Sequence, residues 1–222
     1  MSYILNEMPQ QVNKKLLEKC SRAETATIGH IRNMGFADRR IQNVLNNNLT
    51  ISGTAVTLAI PGQDSTLLHH VIQFLRPGDI LCIDRLGDDK HACLGGGVAA
   101  AIVASGCIGV ILDGPCTDVP EIEKYKLPVW CKGTSPITTR IYDNGGSFNV
   151  PISVGGAVIN PGDVVLADFS GVLIMSPSDA EADVDWALAK MSVEFDGHKK
   201  MLAGEKLGAL SGASQKVENK LK

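Results

Sequence analysis

Apolar and polar positions along this chain form blocks that predict helices and strands in mixed order. Apolar residues recur every three or four positions, as on one face of a helix, in 13–30, 64–75 and 178–204. Two shorter helices are predicted at 39–48 and 119–125. Short apolar runs typical of buried strands occupy 51–60, 80–83, 108–112, 129–131, 150–154, 164–167 and 171–175. This order predicts an α/β fold built as a layered sandwich.

The chain shows no segment with the composition of an interdomain linker. We therefore predict that residues 1–204 form a single domain. Residues 205–222 are rich in Gly, Ser and Lys, and we predict that they form a frayed tail.

Composition and charge argue against several classes of function. The net charge is −3 and the basic residues are scattered, so we expect no nucleic acid partner. The N-terminus lacks the basic-then-apolar order of a signal peptide, and no apolar run reaches the roughly 18 residues of a membrane span. The six cysteines form no C-x-x-C pair. We expect reduced thiols in a cytoplasmic protein with no membrane partner.

The stretch 95–118 carries the densest candidate chemistry. Gly95, Gly96 and Gly97 open a small-residue helix, and the strand that follows ends before Asp113 and Asp118. A helix N-terminus favours a bound anion, and α/β sheets place ligands beyond the carboxyl ends of their strands. Carboxylate oxygens suit a hard cation. We therefore expect a small acidic substrate beside Mg²⁺ or Mn²⁺.

Each of these features also has a purely structural interpretation. The glycines could form a tight turn that needs positive φ, and Asp118 could simply cap the next helix. The polar run 84–91 is either a solvated loop or a functional one that brings Arg85 or Lys90 to the substrate. Arg140 is open to the same two interpretations.

Several short phrases, in their order along the chain, resemble one known family. They are Gly53-Thr54-Ala55-Val56-Thr57, Arg76-Pro77-Gly78-Asp79, Gly95-Gly96, Asp113-Gly114, Asp118, Gly133-Thr134-Ser135-Pro136, Val150-Pro151-Ile152, Gly155-Gly156, Pro161-Gly162-Asp163 and Ala167-Asp168. Over roughly residues 25 to 177 the chain is similar to the regulator of ribonuclease activity A (RraA) superfamily, often mislabelled demethylmenaquinone methyltransferase. The catalytic members of that superfamily are class II 4-hydroxy-4-methyl-2-oxoglutarate aldolases, which also decarboxylate oxaloacetate.

This resemblance implies a fold, an assembly and a set of site residues. The implied fold is a compact layered sandwich related to swivelling phosphohistidine domains, in homotrimers or homohexamers with sites at subunit interfaces. By resemblance, Asp118 ligates Mg²⁺ or Mn²⁺, and backbone amides of the Gly95 region hold the pyruvyl carboxylate. A glutamate from the C-terminal helix of a neighbouring subunit, here Glu194, is expected to approach the metal.

Two departures from the family pattern bear on the substrate. Thr117 stands where the family has an arginine that binds the substrate, and Gly96 replaces an acidic residue. Threonine has neither the charge nor the fork of donors of an arginine. We therefore expect Arg85, Lys90 or Arg140 to supply the positive charge from another loop.

The predicted function is a divalent-metal-dependent lyase that acts on a small 2-oxo or hydroxy acid, by retro-aldol cleavage or decarboxylation. One alternative is a non-enzymatic regulator that binds a ribonuclease, and another is a hydratase or other lyase in sugar-acid breakdown. The predicted residues are Asp118, Thr117 and Arg85 as catalytic groups, Gly95, Gly96, Gly97, Asp113, Lys90 and Arg140 as substrate-binding groups, and Asp118 and Glu194 as metal ligands.

Overall fold

The central strand of the sheet runs over Ile51–Ala59 in the computed structural model of this chain, which describes residues 2–221. Every residue of this strand after the first is buried. Within the described residues the strands are β1 (Tyr3–Leu5), β2 (Gln42–Asn43), β3 (Ile51–Ala59), β4 (Asp79–Asp84), β5 (Gly109–Leu112), β6 (Val129–Cys131), β7 (Gly146–Phe148), β8 (Ile152–Val154), β9 (Ala157–Ile159), β10 (Val164–Ala167) and β11 (Val172–Met175).

Four of these strands make the parallel part of the sheet. β3, β4, β5 and β6 pair in this order, so their carboxyl ends lie along one edge. β10 pairs antiparallel with the first half of β3, and β7 pairs antiparallel with its last two residues. β2 lies beside β6, β1 beside β7 and β11 beside β10, while β8 and β9 form a separate hairpin. Residues that directly follow β4 and β5, such as Asp113, therefore gather at one edge.

The helices surround this sheet in layers. In chain order they are α1 (Lys14–Cys20), α2 (Thr25–Ile28), α3 (Thr66–Val71), α4 (Gly96–Ala104), α5 (Val119–Tyr125), α6 (Pro177–Leu202), α7 (Leu207–Leu210) and α8 (Ala213–Glu218), and a 3-10 turn (Ile72–Phe74) continues α3. None of the helices in the part of the chain that the structure describes is both long and apolar enough to cross a bilayer.

The core has three clusters of buried side chains. In β3, Val56 points to one face and Ala55 to the other, as the two-residue repeat of a strand requires. The first cluster packs α3, α4 and α5 against the Val56 face. The second fills the opposite face under the β8–β9 hairpin, around Trp130, and the third joins α1, α2 and α6 to β10 and β11. The predicted α/β layered sandwich is confirmed.

Two helix predictions need correction. The first predicted helix is divided into α1 and α2, because the Asp168 carboxylate accepts bonds from the Thr25 amide and hydroxyl, both 2.7 Å, and starts a new helix there. The segment 39–48 is not helical. Its Asn43 side chain accepts a bond from the Leu45 amide (2.9 Å), a local contact that competes with helix formation, and β2 joins the sheet edge instead.

The C-terminal helix is confirmed with a different cap. The Ser176 hydroxyl accepts a bond from the Asp179 amide (3.1 Å), whereas the sequence pattern favoured Ser178 or Asp179 as the cap. α7 and α8 occupy the predicted tail, and neither helix has a buried residue.

Candidate active site

A cavity of about 680 Å³ opens at the N-terminal end of α4. Its walls come from α3 with its flanking residues, the start of α4, the residues before α5, and the loop 138–141. The lining residues are Ser65, His69, Ile72, Gln73, Ala92, Cys93, Gly95, Gly96, Gly97, Val98, Ala101, Thr117, Asp118, Thr138, Thr139, Arg140 and Ile141. The volume is typical of a site for a small organic ligand.

The glycines at the start of α4 allow two carboxylates to approach the helix closely. A Cβ at Gly95 would lie 2.6 Å from Oδ2 of Asp118, and a Cβ at Gly96 would lie 2.5 Å from Cδ of Glu121. Gly97 faces open space. None of the three has a positive φ, so the prediction of a tight positive-φ turn is wrong here. Two of these glycines leave open the space that the acidic side chains occupy.

Asp118 has an unusual backbone conformation that directs its side chain to α4. It precedes α5 with φ 54° and ψ 42°, a left-handed conformation that costs a residue other than glycine about 1 kcal/mol or more. Its carboxylate makes no capping bond to α5, and Oδ2 instead accepts a bond from the Gly96 amide at 3.0 Å. The interpretation of Asp118 as a simple helix cap is therefore wrong. Asp118 joins the starts of the two helices and lines the cavity.

The first turn of α4 presents further N–H groups at the cavity. The first N–H groups of any helix have no acceptor within the helix. The Gly96 amide bonds to Asp118, and Gly97 and Val98 follow in the same turn and line the cavity. Together with the positive end of the helix dipole, these two amides can bind an anionic group.

Thr117 also lines the cavity and contacts Asp118. Its Oγ1 donates to Oδ1 of Asp118 over 3.3 Å, and its amide donates to the carbonyl of Leu94 at 2.8 Å. The side chain carries no charge. Its contact therefore orients the Asp118 carboxylate.

Arg140 brings a positive charge to the cavity wall. It is the one arginine or lysine among the residues of 2–221 that line this cavity. Nη1 donates to the Thr138 carbonyl (3.0 Å) and to the Thr138 hydroxyl (2.7 Å). A guanidinium has five donors, so it keeps donors for a ligand.

A buried carboxylate holds the loop that carries Arg140. Asp64 is 1% exposed and accepts bonds from the Thr66 hydroxyl (2.6 Å) and from the amides of Tyr142 (3.0 Å) and Asn144 (2.7 Å). Burial alone would raise the pKa of Asp64, but these hydrogen bonds outweigh it and lower the pKa to about 2. Asp64 therefore stays ionised near neutral pH and fixes the loop next to Arg140.

A buried thiol forms part of the cavity floor. Cys93 is 3% exposed, and burial raises the pKa of its thiol to about 11. At neutral pH the group is protonated and is a poor nucleophile. All six cysteines are buried free thiols in the structure.

Two of the predicted cations lie outside this cavity. Arg85 is fully buried, and its Nη2 donates to the carbonyl of Gly62 and to Asp88 (3.0 Å). This corrects the prediction that Arg85 reaches the substrate, because Arg85 is fully buried behind the cavity lining and its Nη2 is held by the loops around it. Lys90 is exposed and does not line the cavity, and its carbonyl accepts a bond from the Ser135 hydroxyl (2.6 Å).

Asp113 and Glu194 also lie away from Asp118. Asp113 is at the carboxyl edge of the sheet as predicted, but it accepts a bond from the Gly155 amide (2.9 Å), forms an ion pair with Lys132 and does not line the cavity. Glu194 lies on α6 and pairs with Lys190 at 3.6 Å. Within one chain Glu194 does not line the cavity, so its predicted role depends on a neighbouring copy.

Glu121, which the sequence reasoning did not single out, contacts Gly96 at the edge of the site but does not itself line the cavity. Its side chain lies over Gly96, where a side chain of residue 96 would otherwise be. Residues three apart share a helix face, and Glu121 follows Asp118 by three positions. That spacing is the signal that could have identified it.

The two carboxylates fit a divalent cation with few protein ligands. No ion pair of residues 2–221 involves Asp118 or Glu121. The same residues contain no group of three or more His, Cys, Asp or Glu side chains able to hold a metal. Mg²⁺ commonly binds through one or two carboxylates and keeps several waters. The acidic side chains and the space made by the glycines suit that mode of binding.

Taken together, the parallel sheet, the cavity and its acidic and basic walls define an α/β protein with a candidate site for a small acidic ligand. The chain belongs to the RraA-like family, because the family model, described as Aldolase/RraA, matches residues 23–174.

Relatives and solved structures agree with this membership. A protein of Halalkalibacterium halodurans named "Putative 4-hydroxy-4-methyl-2-oxoglutarate aldolase" is 29% identical over 72% of this chain and 75% of its own length. A protein of Arabidopsis thaliana with the same name and the number 3 is 30% identical over 71% of this chain and 92% of its own length. The crystal structure of Streptomyces coelicolor RraAS2, described as an unusual member of the RNase ES inhibitor RraA protein family, aligns with TM-score 0.74 and 26% identity. That alignment covers 85% of this chain and 99% of RraAS2.

Proposed function

We propose that this protein is a divalent-metal-dependent lyase that cleaves a small 2-oxo or hydroxy acid, by retro-aldol cleavage or decarboxylation. The observation that carries the proposal is the Asp118 carboxylate, which a strained backbone directs to the start of α4 in the cavity. It has no cationic partner in the described part of the chain. The aldolase names of the relatives support this class of reaction.

Asp118 would hold the cation, with waters completing its coordination. When bound, a divalent cation acts as a Lewis acid that polarises the 2-oxo group and stabilises the negative charge that develops as the C–C bond breaks. Thr117 orients the Asp118 carboxylate through its hydroxyl (3.3 Å).

The chain's own groups bind and orient the substrate. The amides of Gly97 and Val98, at the N-terminus of α4, bind the carboxylate next to the 2-oxo group. Arg140 pairs with the substrate's negative charge and supplies the cation that Thr117 lacks. Ile72 and Ala101 form apolar parts of the wall, which suit the carbon chain of a small acid.

We also propose that the protein works as a homotrimer or homohexamer in which Glu194 approaches a neighbour's cavity. On α6 the exposed side chains of Phe195 (69%) and Leu202 (90%) are seven residues apart and therefore share one face of the helix. Exposed apolar side chains on one helix face are typical of a surface that packs on another subunit. Light scattering coupled to size-exclusion chromatography tests the assembly, and a monomer in solution would contradict it.

The function is tested by pyruvate release from oxaloacetate and from 4-hydroxy-4-methyl-2-oxoglutarate, with Mg²⁺, with Mn²⁺ and with a chelator. We expect pyruvate with either metal and none with the chelator. Bound metal without pyruvate from either compound would indicate a lyase with another substrate, such as a sugar-acid breakdown product.

A second candidate is a non-enzymatic regulator that binds a ribonuclease. The alignment over 99% of RraAS2 and the uncharged Thr117 favour it. A pure regulator would bind its ribonuclease equally well with chelator and with Mg²⁺, and it would release no pyruvate. Thermal unfolding with and without Mg²⁺ distinguishes the two functions, because a ligand that binds only the folded protein raises the melting temperature. Mg²⁺ should raise the melting temperature of a metal-dependent lyase and leave that of a pure regulator unchanged.

A further inference from the structure

The start of α5 has the sequence pattern of a capping box but not its hydrogen bonds. Asp118-Val119-Pro120-Glu121 places an acceptor at the N-cap and a glutamate three residues later, the arrangement in which both side chains bond to their own helix. Here α5 has no side-chain capping bond. The Asp118 carboxylate bonds to Gly96 of α4 instead. Helix capping therefore does not explain why these two acidic residues occur at this spacing.

Both carboxylates lie against consecutive glycines of α4. A Cβ at residue 95 would lie 2.6 Å from Oδ2 of Asp118, and a Cβ at residue 96 would lie 2.5 Å from Cδ and 3.1 Å from Cβ of Glu121. Oδ2 of Asp118 also accepts a bond from the Gly96 amide at 3.0 Å, so both acidic groups approach the same residue of α4. Any side chain at residue 96 would compete with Glu121 for the same space.

The charges of the two side chains are not balanced by the chain. Asp118 and Glu121 are both exposed, and neither takes part in an ion pair within residues 2–221. Because both carboxylates approach Gly96, one divalent cation bound between them would offset both charges.

We propose that Glu121 is a second carboxylate that binds the cation together with Asp118, and that residue 96 is glycine because the Glu121 side chain occupies its space. This inference rests on the proposed metal dependence. The second metal ligand of this chain would come from α5, whereas the acidic residue that Gly96 replaces in the family pattern lies at the start of α4.

The test is the affinity for Mn²⁺, measured by isothermal titration calorimetry on the full chain without substrate. Glu121→Gln keeps the shape of the side chain and removes its charge, and we expect Mn²⁺ affinity to fall by about tenfold or more. Glu123→Gln is the matched control, because Glu123 is an exposed glutamate of the same helix. We expect the control to bind Mn²⁺ as tightly as the unchanged protein.

A swap of the carboxylate between helices tests the shared space directly. Glu121→Ala combined with Gly96→Asp returns an acidic group to the same place from α4. We expect the double variant to bind Mn²⁺ at least about threefold more tightly than Glu121→Ala alone, because the two positions are coupled. The circular dichroism spectrum and the melting temperature of each variant establish that it is folded.

The outcomes separate this inference from the proposed function. If the unchanged protein binds no Mn²⁺, the metal dependence and the role of Glu121 both fail. If Asp118→Asn abolishes Mn²⁺ binding while Glu121→Gln binds as tightly as the unchanged protein, the metal dependence stands and the role of Glu121 is overturned. A double variant no better than Glu121→Ala would overturn the claim that residue 96 and Glu121 compete for one position.

Discussion

Two cavities of similar volume, about 680 and about 600 Å³, differ in whether their cationic residues form ion pairs within the chain. The second cavity is lined by Arg40, Lys132 and Asp89 among others. Arg40 binds both oxygens of Asp38, at 3.0 and 3.1 Å, and Lys132 forms an ion pair with Asp113. Hydrogen bonds from Arg40 lower the pKa of Asp38 to about 2. Both cations of the second cavity are therefore neutralised by carboxylates of the chain.

The first cavity, at the start of α4, leaves its charges available. Within residues 2–221 neither Asp118 nor Arg140 takes part in an ion pair. A charge that is already paired within the chain is less available to a ligand, whereas the unpaired carboxylate and guanidinium of the first cavity are available to a metal ion and to an acidic substrate. The difference between the two cavities is the reason to place the chemistry at Asp118.

The largest expected effect is that of Asp118→Asn on turnover. Loss of a residue that hydrogen-bonds to a metal ligand lowers activity by about 10- to 100-fold. Loss of the proposed metal ligand itself should therefore lower kcat/KM by more than about 100-fold. Asp89→Asn removes a carboxylate from the second cavity and is the matched control, with turnover expected to be unchanged. Equal losses in both variants would remove the distinction between the cavities.

Next in size is the effect of Arg140→Ala on substrate binding. A hydrogen bond to a charged group contributes about 1.5–3 kcal/mol, so KM for the acid should rise about 10- to 100-fold. Arg40→Ala removes the arginine of the second cavity and should leave KM unchanged. Steady-state kinetics at saturating Mg²⁺ measure the KM of both variants. An unchanged KM for Arg140→Ala would mean that another residue supplies the positive charge that binds the acid.

A smaller effect is expected from Asp64→Asn on stability. The pKa of Asp64 is lowered to about 2 in the folded protein, so its stabilisation is complete above the ordinary aspartate pKa and is lost as the pH falls towards 2. We expect the variant to lose on the order of 2 kcal/mol of unfolding free energy at pH 7, and the difference to shrink below about pH 4. Urea unfolding at pH 7 and pH 3 measures both values. A difference that does not change with pH would contradict this account.

The smallest expected effect is that of Lys132→Met on catalysis. Lys132 pairs with Asp113 outside the first cavity, so no Schiff base with the substrate is expected from it. Turnover of the variant should equal that of the unchanged protein. Treatment of the unchanged protein with pyruvate and borohydride, which would reduce a Schiff base to a stable adduct, should leave its mass unaltered. A reduced covalent adduct on Lys132 would show that the substrate reacts in the second cavity and would contradict the placement of the active site at Asp118.

The sequence allowed much of the sheet to be predicted, because β4 and β5 contain continuous apolar runs and β3 is rich in Ile, Val, Thr and Ala. The error at 39–48 has a physical cause, since the Asn43 side chain bonds to the local backbone and β2 is held by a distant strand. Local pattern carries no information about such long-range pairing.

The site was predictable only in part, for a related reason. Asp118 and the glycines were visible because they lie where a strand leads into a helix, the place at which α/β proteins bind ligands. The run 84–91 was the densest in charge, yet Arg85 is buried among loop contacts. The three-residue spacing places Glu121 on the same helix face as Asp118, but its approach to Gly96 depends on how α4 packs against α5, which the sequence does not show.

The most direct test of the central claim is the position of Mn²⁺ in crystals grown with Mn²⁺ and pyruvate, located by its anomalous scattering. The account predicts one peak against the Asp118 carboxylate, with pyruvate near the amides of Gly97 and Val98. A peak beside Asp113 or Asp89 at the second cavity, or no peak at saturating Mn²⁺, would contradict it.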